Sequence, residues 1–86
     1  MEITQNDYNT QSSRHRVFGI DDAPALSVWQ MPSANDRALW SEPRIRTYAV
    51  KLMDIEHIDL MKDALCMAAE LFEEWSEDTG KEIVEG

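Results

Sequence analysis

The sequence contains few residues of several types that usually signal a particular class of protein. Its 86 residues include one cysteine, three glycines and three prolines. A single cysteine excludes an intrachain disulfide and a cysteine-rich zinc site, which favours a reducing compartment, the cytoplasm. There is no apolar run of the roughly 20 residues that a membrane-spanning helix needs, and no charged-then-apolar leader opens the chain. We therefore expect one small cytoplasmic domain with a limited core.

The motifs of common catalytic sites are also missing. The sequence contains no glycine-rich phosphate loop, no nucleophile elbow and no paired metal-ligand motif. His57 is interpreted as a surface or capping residue, and the alternative is that His15 or His57 joins carboxylates at a metal site. Cys66 lies among acids that disfavour its thiolate, so it is interpreted as unreactive. We expect a protein that is not an enzyme and that binds neither a cofactor nor a metal.

Basic residues are scarce in the last third of the chain. The net charge is −9, yet residues 1–53 contain six acids and six bases. Residues 54–86 contain eleven acids and two bases, so the whole imbalance lies there. Such asymmetry indicates a surface used on something basic, and argues against direct contact of this part with nucleic acid or an anionic membrane.

A single long helix is predicted within this acidic third. The segment from Asp54 to Asp78 has no glycine or proline and is rich in alanine, leucine, methionine and glutamate. Asp54 is a suitable N-cap and Gly80 a suitable stop. Apolar residues at steps of three and four predict a stripe that faces the core. The stripe consists of Ile58, Met61, Leu65, Ala68, Phe72 and Trp75, widened by Ala64 and Leu71.

The opposite side of the predicted helix is almost purely anionic. Lys62 is the one base between Asp54 and Thr79, and the acids concentrate toward the C-terminus. The helix dipole disfavours acids there by roughly 0.3–1 kcal/mol each at low salt. Such a cost is typical of a binding surface, with a poorly optimised surface as the alternative. The candidate partner-binding acids are Asp59, Asp63, Glu70, Glu73, Glu74, Glu77 and Asp78.

The first half of the chain predicts short strands. Residues 1–13 are polar and are predicted to be a flexible arm with a short strand near Ile3, whereas residues 14–86 form a single domain. Residues 16–20 and 26–31 flank a loop of Asp, Ala and Pro, which predicts a hairpin. Gly19 within the first run indicates a bulge or a close backbone contact.

Three further segments are less regular. Residues 37–40 are predicted to form a turn or two of helix before Pro43. Residues 44–52 are predicted to form a third strand, although a helical stripe also fits them. One face of this strand would carry Arg44, Arg46, Tyr48, Val50 and Leu52, and the other Ile45, Thr47, Ala49 and Lys51. Ile83 and Val84 are candidates for an edge strand.

Together these elements predict an α+β fold, a small antiparallel sheet of about three strands with one long C-terminal amphipathic helix packed across one face. The other face would carry apolar residues that need cover, which indicates a dimer or a bound partner. Trp29 and Trp40 flank the segment PSAND and are candidates both for the core and for partner-binding anchors.

The leading functional hypothesis is a non-enzymatic acidic module that docks its helix on a basic, nucleic-acid-binding surface of a partner protein. Anti-restriction and anti-CRISPR inhibitors work in this way as a class, and the comparison rests on charge and size. One alternative is a homodimeric structural or assembly module in which the acids serve solubility. Another is that the helix acids are paired within the monomer. The bases in question are Arg37, Arg44, Arg46 and Lys51.

Overall fold

The structure, a computed structural model, describes residues 2–10 and 12–84. Its elements are strands β1 (Ile3–Asp7), β2 (Arg14–Ile20), β3 (Ala23–Gln30) and β4 (Arg44–Thr47), and helix α1 (Ile55–Glu77). The strands form one antiparallel sheet in chain order, and the helix packs on β2 and β3. The predicted α+β fold is confirmed, with four strands where about three were expected. The proposed arm and domain also include Met1, Gln11, Glu85 and Gly86, which lie outside the described residues.

Strands β2 and β3 form the predicted hairpin with a tighter turn than the sequence indicated. Ile20 pairs with Ala23, so Asp21 and Asp22 make a two-residue turn, with φ values of 50° and 65°. Positive φ at both positions matches the twist of a two-residue hairpin, and aspartate tolerates it better than most residues. The hairpin therefore brings a carboxylate pair to the tip of the sheet.

The bulge expected at Gly19 is present. The pairing of β2 with β3 shifts between Phe18 and Gly19. A Cβ atom at Gly19 would lie 2.6 Å from Thr4 Oγ1 and 3.1 Å from the Ala23 carbonyl oxygen, so neighbouring strands approach too closely for a larger residue. The strand predicted near Ile3 is β1, which means that part of the expected arm belongs to the sheet.

The segments before and after the helix differ from expectation. The third predicted strand ends at Thr47 rather than Leu52, and residues 48–53 have no regular structure, so the helical alternative for this region is wrong as well. No helix forms at residues 37–40. Trp40 instead makes isolated bridges with Pro32 and Thr79, and Leu39 makes one with Glu82.

The end of the chain packs on that same segment. The Ile83 amide donates to the Ala38 carbonyl oxygen at 2.7 Å, and the Trp40 amide donates to the Lys81 carbonyl oxygen at 3.0 Å. The predicted edge strand through Ile83 and Val84 is therefore replaced by isolated pairing with residues 38–40. These contacts join residues more than 40 positions apart, so local sequence patterns carry no signal for them.

The core lies between α1 and the two central strands. Its buried apolar side chains are Phe18, Ile20, Ala25, Leu26 and Val28 from the sheet, and Ala64, Ala68, Leu71 and Trp75 from the helix. The helix is rotated relative to the predicted stripe, because Ile58 and Leu65 remain 39% and 47% exposed while Ala64 is fully buried. Small alanine side chains allow the helix to lie close to the bulky residues of the sheet.

A buried glutamine joins the sheet to the C-terminal end of the helix. The Gln30 side chain is fully buried, and its Nε2 donates to the carbonyl oxygens of Trp75 at 2.9 Å and Ser41 at 2.8 Å. Its Oε1 accepts hydrogen bonds from Arg14 Nε at 2.9 Å and Arg14 Nη2 at 2.5 Å. Because each polar atom of the amide has partners, burial costs little.

Arg14 extends this link to two tryptophans and an acid. Its guanidinium lies 4.4 Å from the ring centroid of Trp40 and 4.6 Å from that of Trp75. Its Nη2 also donates to Asp78 Oδ2 at 2.7 Å, and Asp78 is the C-cap residue of α1. We refer to Arg14, Gln30, Trp40, Trp75 and Asp78 as the Arg14 cluster. It fixes the end of the helix on the sheet.

We predict that Gln30→Leu destabilises the fold by at least about 2 kcal/mol, because buried carbonyl oxygens and the Arg14 guanidinium lose their partner. Urea unfolding followed by circular dichroism measures this change. The matched control is Gln5→Leu, since Gln5 is exposed on β1 and its amide makes one long contact, 3.9 Å to the sulfur of Met67. Equal effects of the two substitutions would contradict a linking role for Gln30.

Candidate protein-binding surface

The acids of α1 face solvent along most of its length. Six of the seven predicted partner-binding acids are exposed, and we refer to them as the acidic face: Asp59, Asp63, Glu70, Glu73, Glu74 and Glu77. Within residues 2–10 and 12–84, the ion pairs are Arg14–Asp78, Arg16–Asp7 and those of His57 with Asp21 and Asp54. The acidic face therefore has no salt bridge to a described residue.

The seventh predicted acid has a different role. Asp78 caps the helix and is paired with Arg14, so it belongs to the Arg14 cluster. The four bases considered as internal partners, Arg37, Arg44, Arg46 and Lys51, form no salt bridge with any acid of the described part of the chain. Among the described residues, a salt bridge therefore neutralises one of the seven predicted acids, Asp78.

One side of the acidic face borders the sheet edge. Glu70 and Glu74 line a cleft of about 240 Å³ together with Arg16. Arg16 is already engaged, because its Nε and Nη2 donate to the Asp7 carboxylate at 2.7 and 3.1 Å. That hydrogen bond lowers the pKa of Asp7 and raises the pKa of Arg16, and the charge of Glu74 contributes to the second shift. The base that shares this cleft therefore forms no salt bridge with Glu70 or Glu74.

His57 holds the other end of the helix. Asp54 is the N-cap, as predicted, and its Oδ1 accepts the His57 amide hydrogen bond at 3.0 Å. His57 Nδ1 accepts from the Met53 amide at 3.3 Å, so we assign the ring proton to Nε2, which donates to Asp21 Oδ2 at 2.8 Å. The hairpin turn and the helix start are therefore tied together.

The environment of His57 favours its charged form. The hydrogen bond with Asp21 is the main reason that its pKa lies above the ordinary value of 6.5, and the charges of Asp54 and Glu56 add to the effect. In the charged state Nδ1 can donate to Asp54 Oδ1, which lies 3.2 Å away. On protonation, His57 Nδ1 therefore exchanges the Met53 amide for Asp54 Oδ1 as its partner. The added charge also strengthens the hydrogen bond from Nε2 to Asp21.

An exposed apolar strip lies beside the start of the helix. It consists of Leu52, Met53, Ile55, Ile58 and Leu65, which are 39–73% exposed. At 3.6 residues per turn, Ile58 and Leu65 lie on one side of buried Ala64, while Asp63 and Glu70 lie on the other. The sequence placed Ile58 and Leu65 in the core, so this surface was missed. A helical wheel could have indicated this surface, because Ile58 and Leu65 lie at the margin of the predicted apolar stripe.

The two candidate tryptophans lie in different surroundings. Trp40 is half-buried in the Arg14 cluster, where it stacks on the guanidinium. Trp29 is half-buried on the sheet face opposite α1, with its ring centroid 6.1 Å from that of His15. The structure thus links Trp40 to one predicted acid, Asp78, through Arg14, and places Trp29 on the other face of the sheet.

Two negative findings apply to the described part of the chain. No group of three histidine, cysteine, aspartate or glutamate side chains within residues 2–10 and 12–84 is arranged to hold a metal ion. In the same ranges, α1 falls short of the apolar character that a helix needs to cross a membrane. Cys66 is a free, exposed thiol on the helix.

We predict that Asp21→Asn lowers stability in a pH-dependent way. The pKa of His57 is raised in the folded state by its hydrogen bond with Asp21. The stabilisation from this pair is therefore fully present below the unfolded pKa of about 6.5, and it is lost as the pH rises through the raised pKa. The variant should therefore be less stable than the parent near pH 5.5, and the difference should shrink toward about pH 8.5. Urea midpoints at several pH values measure this.

Asparagine is a suitable replacement in that experiment because it tolerates the positive φ of the turn and removes the charge alone. A difference in stability that does not vary with pH would show that His57 and Asp21 do not titrate as a pair.

Comparison with known proteins finds no matching family model, no matching curated protein and no matching solved structure. The function proposed below therefore rests on this chain's own residues and their geometry.

Proposed function

We propose that this chain is a non-enzymatic binding module that docks its acidic face on a basic surface of a partner protein. The observation that carries the proposal is that six exposed carboxylates lie along one helix without a salt bridge to any described residue. Surface acids that serve only solubility are usually interspersed with bases, whereas α1 contains one lysine, Lys62, and no arginine.

The dimensions of the acidic face suit a groove that normally holds nucleic acid. Asp59 and Glu77 are 18 residues apart, which is about 27 Å along a helix. Acids three or four residues apart rise by roughly 4.5–6 Å, and Asp63 and Glu70 are about 10.5 Å apart along the axis. Phosphates of one DNA strand advance about 3.4 Å along the axis. The helix thus offers a similar negative potential without matching each phosphate. The proposed effect is inhibition, because the helix occupies the basic groove of a nucleic-acid-binding partner.

The position of the acids supports a binding role over a stabilising one. Glu73, Glu74 and Glu77 lie near the C-terminal end of α1, and the last turn contains no base. The negative end of the helix dipole disfavours them by roughly 0.3–1 kcal/mol each at low salt. Positions where a local electrostatic cost persists are often functional.

Both ends of the helix are fixed before any partner arrives. The Arg14 cluster holds the C-terminal end and His57 holds the N-terminal end through Asp21. A helix held in this way loses little conformational entropy on binding. The apolar strip beside it offers contacts that add to the charge interaction. We place this activity in the cytoplasm, because the lone exposed thiol of Cys66 suits a reducing compartment.

We predict that the triple variant Glu70→Gln, Glu73→Gln, Glu77→Gln loses partner binding and keeps its fold. The immobilised chain should retain a basic nucleic-acid-binding protein from extracts of its native host at low salt and release it at high salt, because salt screens the charges. Duplex nucleic acid should displace the retained protein, and the variant should retain much less of it.

The matched control is Glu2→Gln, Glu42→Gln, Glu82→Gln, which changes the net charge equally at exposed sites outside the acidic face. This control should retain the partner. The urea midpoint of the first variant should be equal to or above that of the parent, since acids near the helix end are removed. Unchanged retention by the first variant, or a partner that nucleic acid does not displace, contradicts the proposal.

A second candidate function is a homodimeric assembly module. The observation that favours it is the apolar strip, since contiguous exposed apolar patches on small proteins usually mark interfaces. From the sequence, the interface of such a dimer was expected on the uncovered sheet face and near Trp29 and Trp40. Trp40 is engaged in the Arg14 cluster, so the strip is the better location.

This alternative predicts a dimer mass in sedimentation equilibrium at micromolar concentration. Ile58→Ser with Leu65→Ser should convert the dimer to a monomer, because both side chains are exposed in the single chain and would be buried between copies. Val84→Ser, at an 82% exposed site outside the strip, is the control and should leave the mass unchanged. A monomer mass for the parent chain would rule this candidate out.

A further inference from the structure

The sheet face opposite α1 has its own organisation, which the acidic face does not use. The strand register places Asn6, Val17, Ser27 and Arg46 side by side across the sheet. The next row contains His15, Trp29 and Arg44, and Tyr8 adjoins it through a backbone hydrogen bond to His15. Residues that alternate with these, such as Leu26, Val28 and Gln30, face the helix.

Three clefts on this side of the sheet adjoin one another, because they share lining residues. The central cleft has a volume of about 280 Å³ and is lined by Tyr8, His15, Trp29, Arg46 and Tyr48, among others. Tyr8, His15 and Tyr48 also line a neighbouring cleft of about 710 Å³. On the other side, the central cleft shares Ser13 and Met31 with a cleft of about 380 Å³ that ends at Arg37. We refer to the three together as the aromatic groove.

The walls of the central cleft are planar groups. The ring centroids of Tyr8 and His15 are 6.0 Å apart, and those of His15 and Trp29 are 6.1 Å apart with the planes at 74°. The Arg46 guanidinium lies 4.8 Å from the ring centroid of Tyr48. Aromatic and guanidinium planes on an open sheet are surfaces on which flat heterocycles stack.

The cleft also contains polar atoms that lack good partners. His15 Nε2 is buried and has no hydrogen-bond partner among the described residues. The hydroxyl of buried Ser27 lies 3.5 Å from that of Tyr48, which is long for a hydrogen bond between hydroxyls. Buried polar atoms nearly always have partners, so a small movement of the His15 ring toward a ligand with a hydrogen-bonding edge would be favourable.

The charge of the groove is opposite to that of the whole chain. Arg46 and Arg37 line it, with Asp22 at its far end. Arg14 borders it too, but its guanidinium is held by Gln30 and Asp78. The acidic face lies beyond the helix, which is about 10–12 Å thick, while the Debye length at physiological salt is about 8 Å. Repulsion from those acids is therefore largely screened.

We propose that the aromatic groove binds a nucleotide, with the base stacked among Tyr8, Trp29 and Tyr48 and the phosphate on Arg46. A cationic ligand is disfavoured by the arginines, and an aliphatic one by the polar atoms of the cleft. A nucleotide combines a flat ring, a hydrogen-bonding edge and a negative charge, and it can be free or part of a single strand. The expectation of no direct nucleic-acid contact came from the acidic C-terminal third and does not extend to this face.

Titration of the labelled chain with a ribonucleoside monophosphate and, separately, with a single-stranded oligonucleotide tests the proposal. In ¹H–¹⁵N spectra, the Trp29 indole signal and the His15 ring nitrogens should shift, while the Trp75 indole signal stays in place. Arg46→Gln should weaken binding about tenfold by removing a charge-assisted contact. Lys62→Gln, with the same charge change on exposed α1, is the control and should bind as the parent does.

Equal affinity for the monophosphate and the oligonucleotide would assign the groove to a free nucleotide, and tighter binding of the oligonucleotide would assign it to a single strand. Absence of shifts with both ligands at millimolar concentration overturns the proposal. Equal shifts with an acidic peptide overturn it as well, since the groove would then recognise charge alone. The variants of the acidic face should not alter these results, so this proposal and the proposed function can fail separately.

Discussion

A buried amide holds the two layers of this protein together. Gln30 is the last residue of β3 and lies buried on the helix-facing side of the sheet, where it connects β3 to the helix end, to Ser41 and to Arg14. Such a group is costly to bury unless every partner is present, so it specifies one arrangement of helix and sheet. The order of the helix end, the stacking of Arg14 between two tryptophans and the outward position of the acidic face all depend on it.

This arrangement separates surfaces of different chemistry on a very small chain. With α1 on one face of the sheet, carboxylates occupy the outer side of the helix while aromatic and guanidinium groups occupy the uncovered face of the sheet. The one helix of the described residues covers one face of the sheet and leaves the other without a helix. The side without a helix is therefore available for a ligand, and the charges of the two sides remain apart.

Local patterns predicted the features that depend on neighbouring residues. The helix, its Asp54 cap, the hairpin and the Gly19 bulge follow from propensity, capping and turn chemistry, which act over a few positions. The exposure of the helix acids also followed, because it depends on helical periodicity. The predictions were wrong where contacts between residues distant in sequence determine the structure. Residues 37–40 pair with the C-terminal segment instead of forming a helix, since a partner supplied by the fold outweighs a weak local preference.

The rotation of the helix about its own axis also depends on contacts that local sequence patterns do not reveal. A helical wheel identifies a broad apolar side, but it does not say which row touches the sheet. Ala64 and Ala68 are buried because small side chains permit close approach, which leaves Ile58 and Leu65 at the margin. The Arg14 cluster had no sequence signal at all, because its members are as much as 64 positions apart.

The unequal cover of the sheet also bears on its motions. The helix packs on β2 and β3, whereas β4 is exposed along its whole length and β1 along most of it. Amide hydrogens of the outer strands should exchange with solvent through local fraying, while those of the central hairpin exchange through global unfolding. Tyr8 follows β1 and Arg46 belongs to β4, so two walls of the aromatic groove stand on the outer strands, whereas His15 and Trp29 belong to the central hairpin. Fraying of the outer strands would therefore change the width of the groove without disturbing the core.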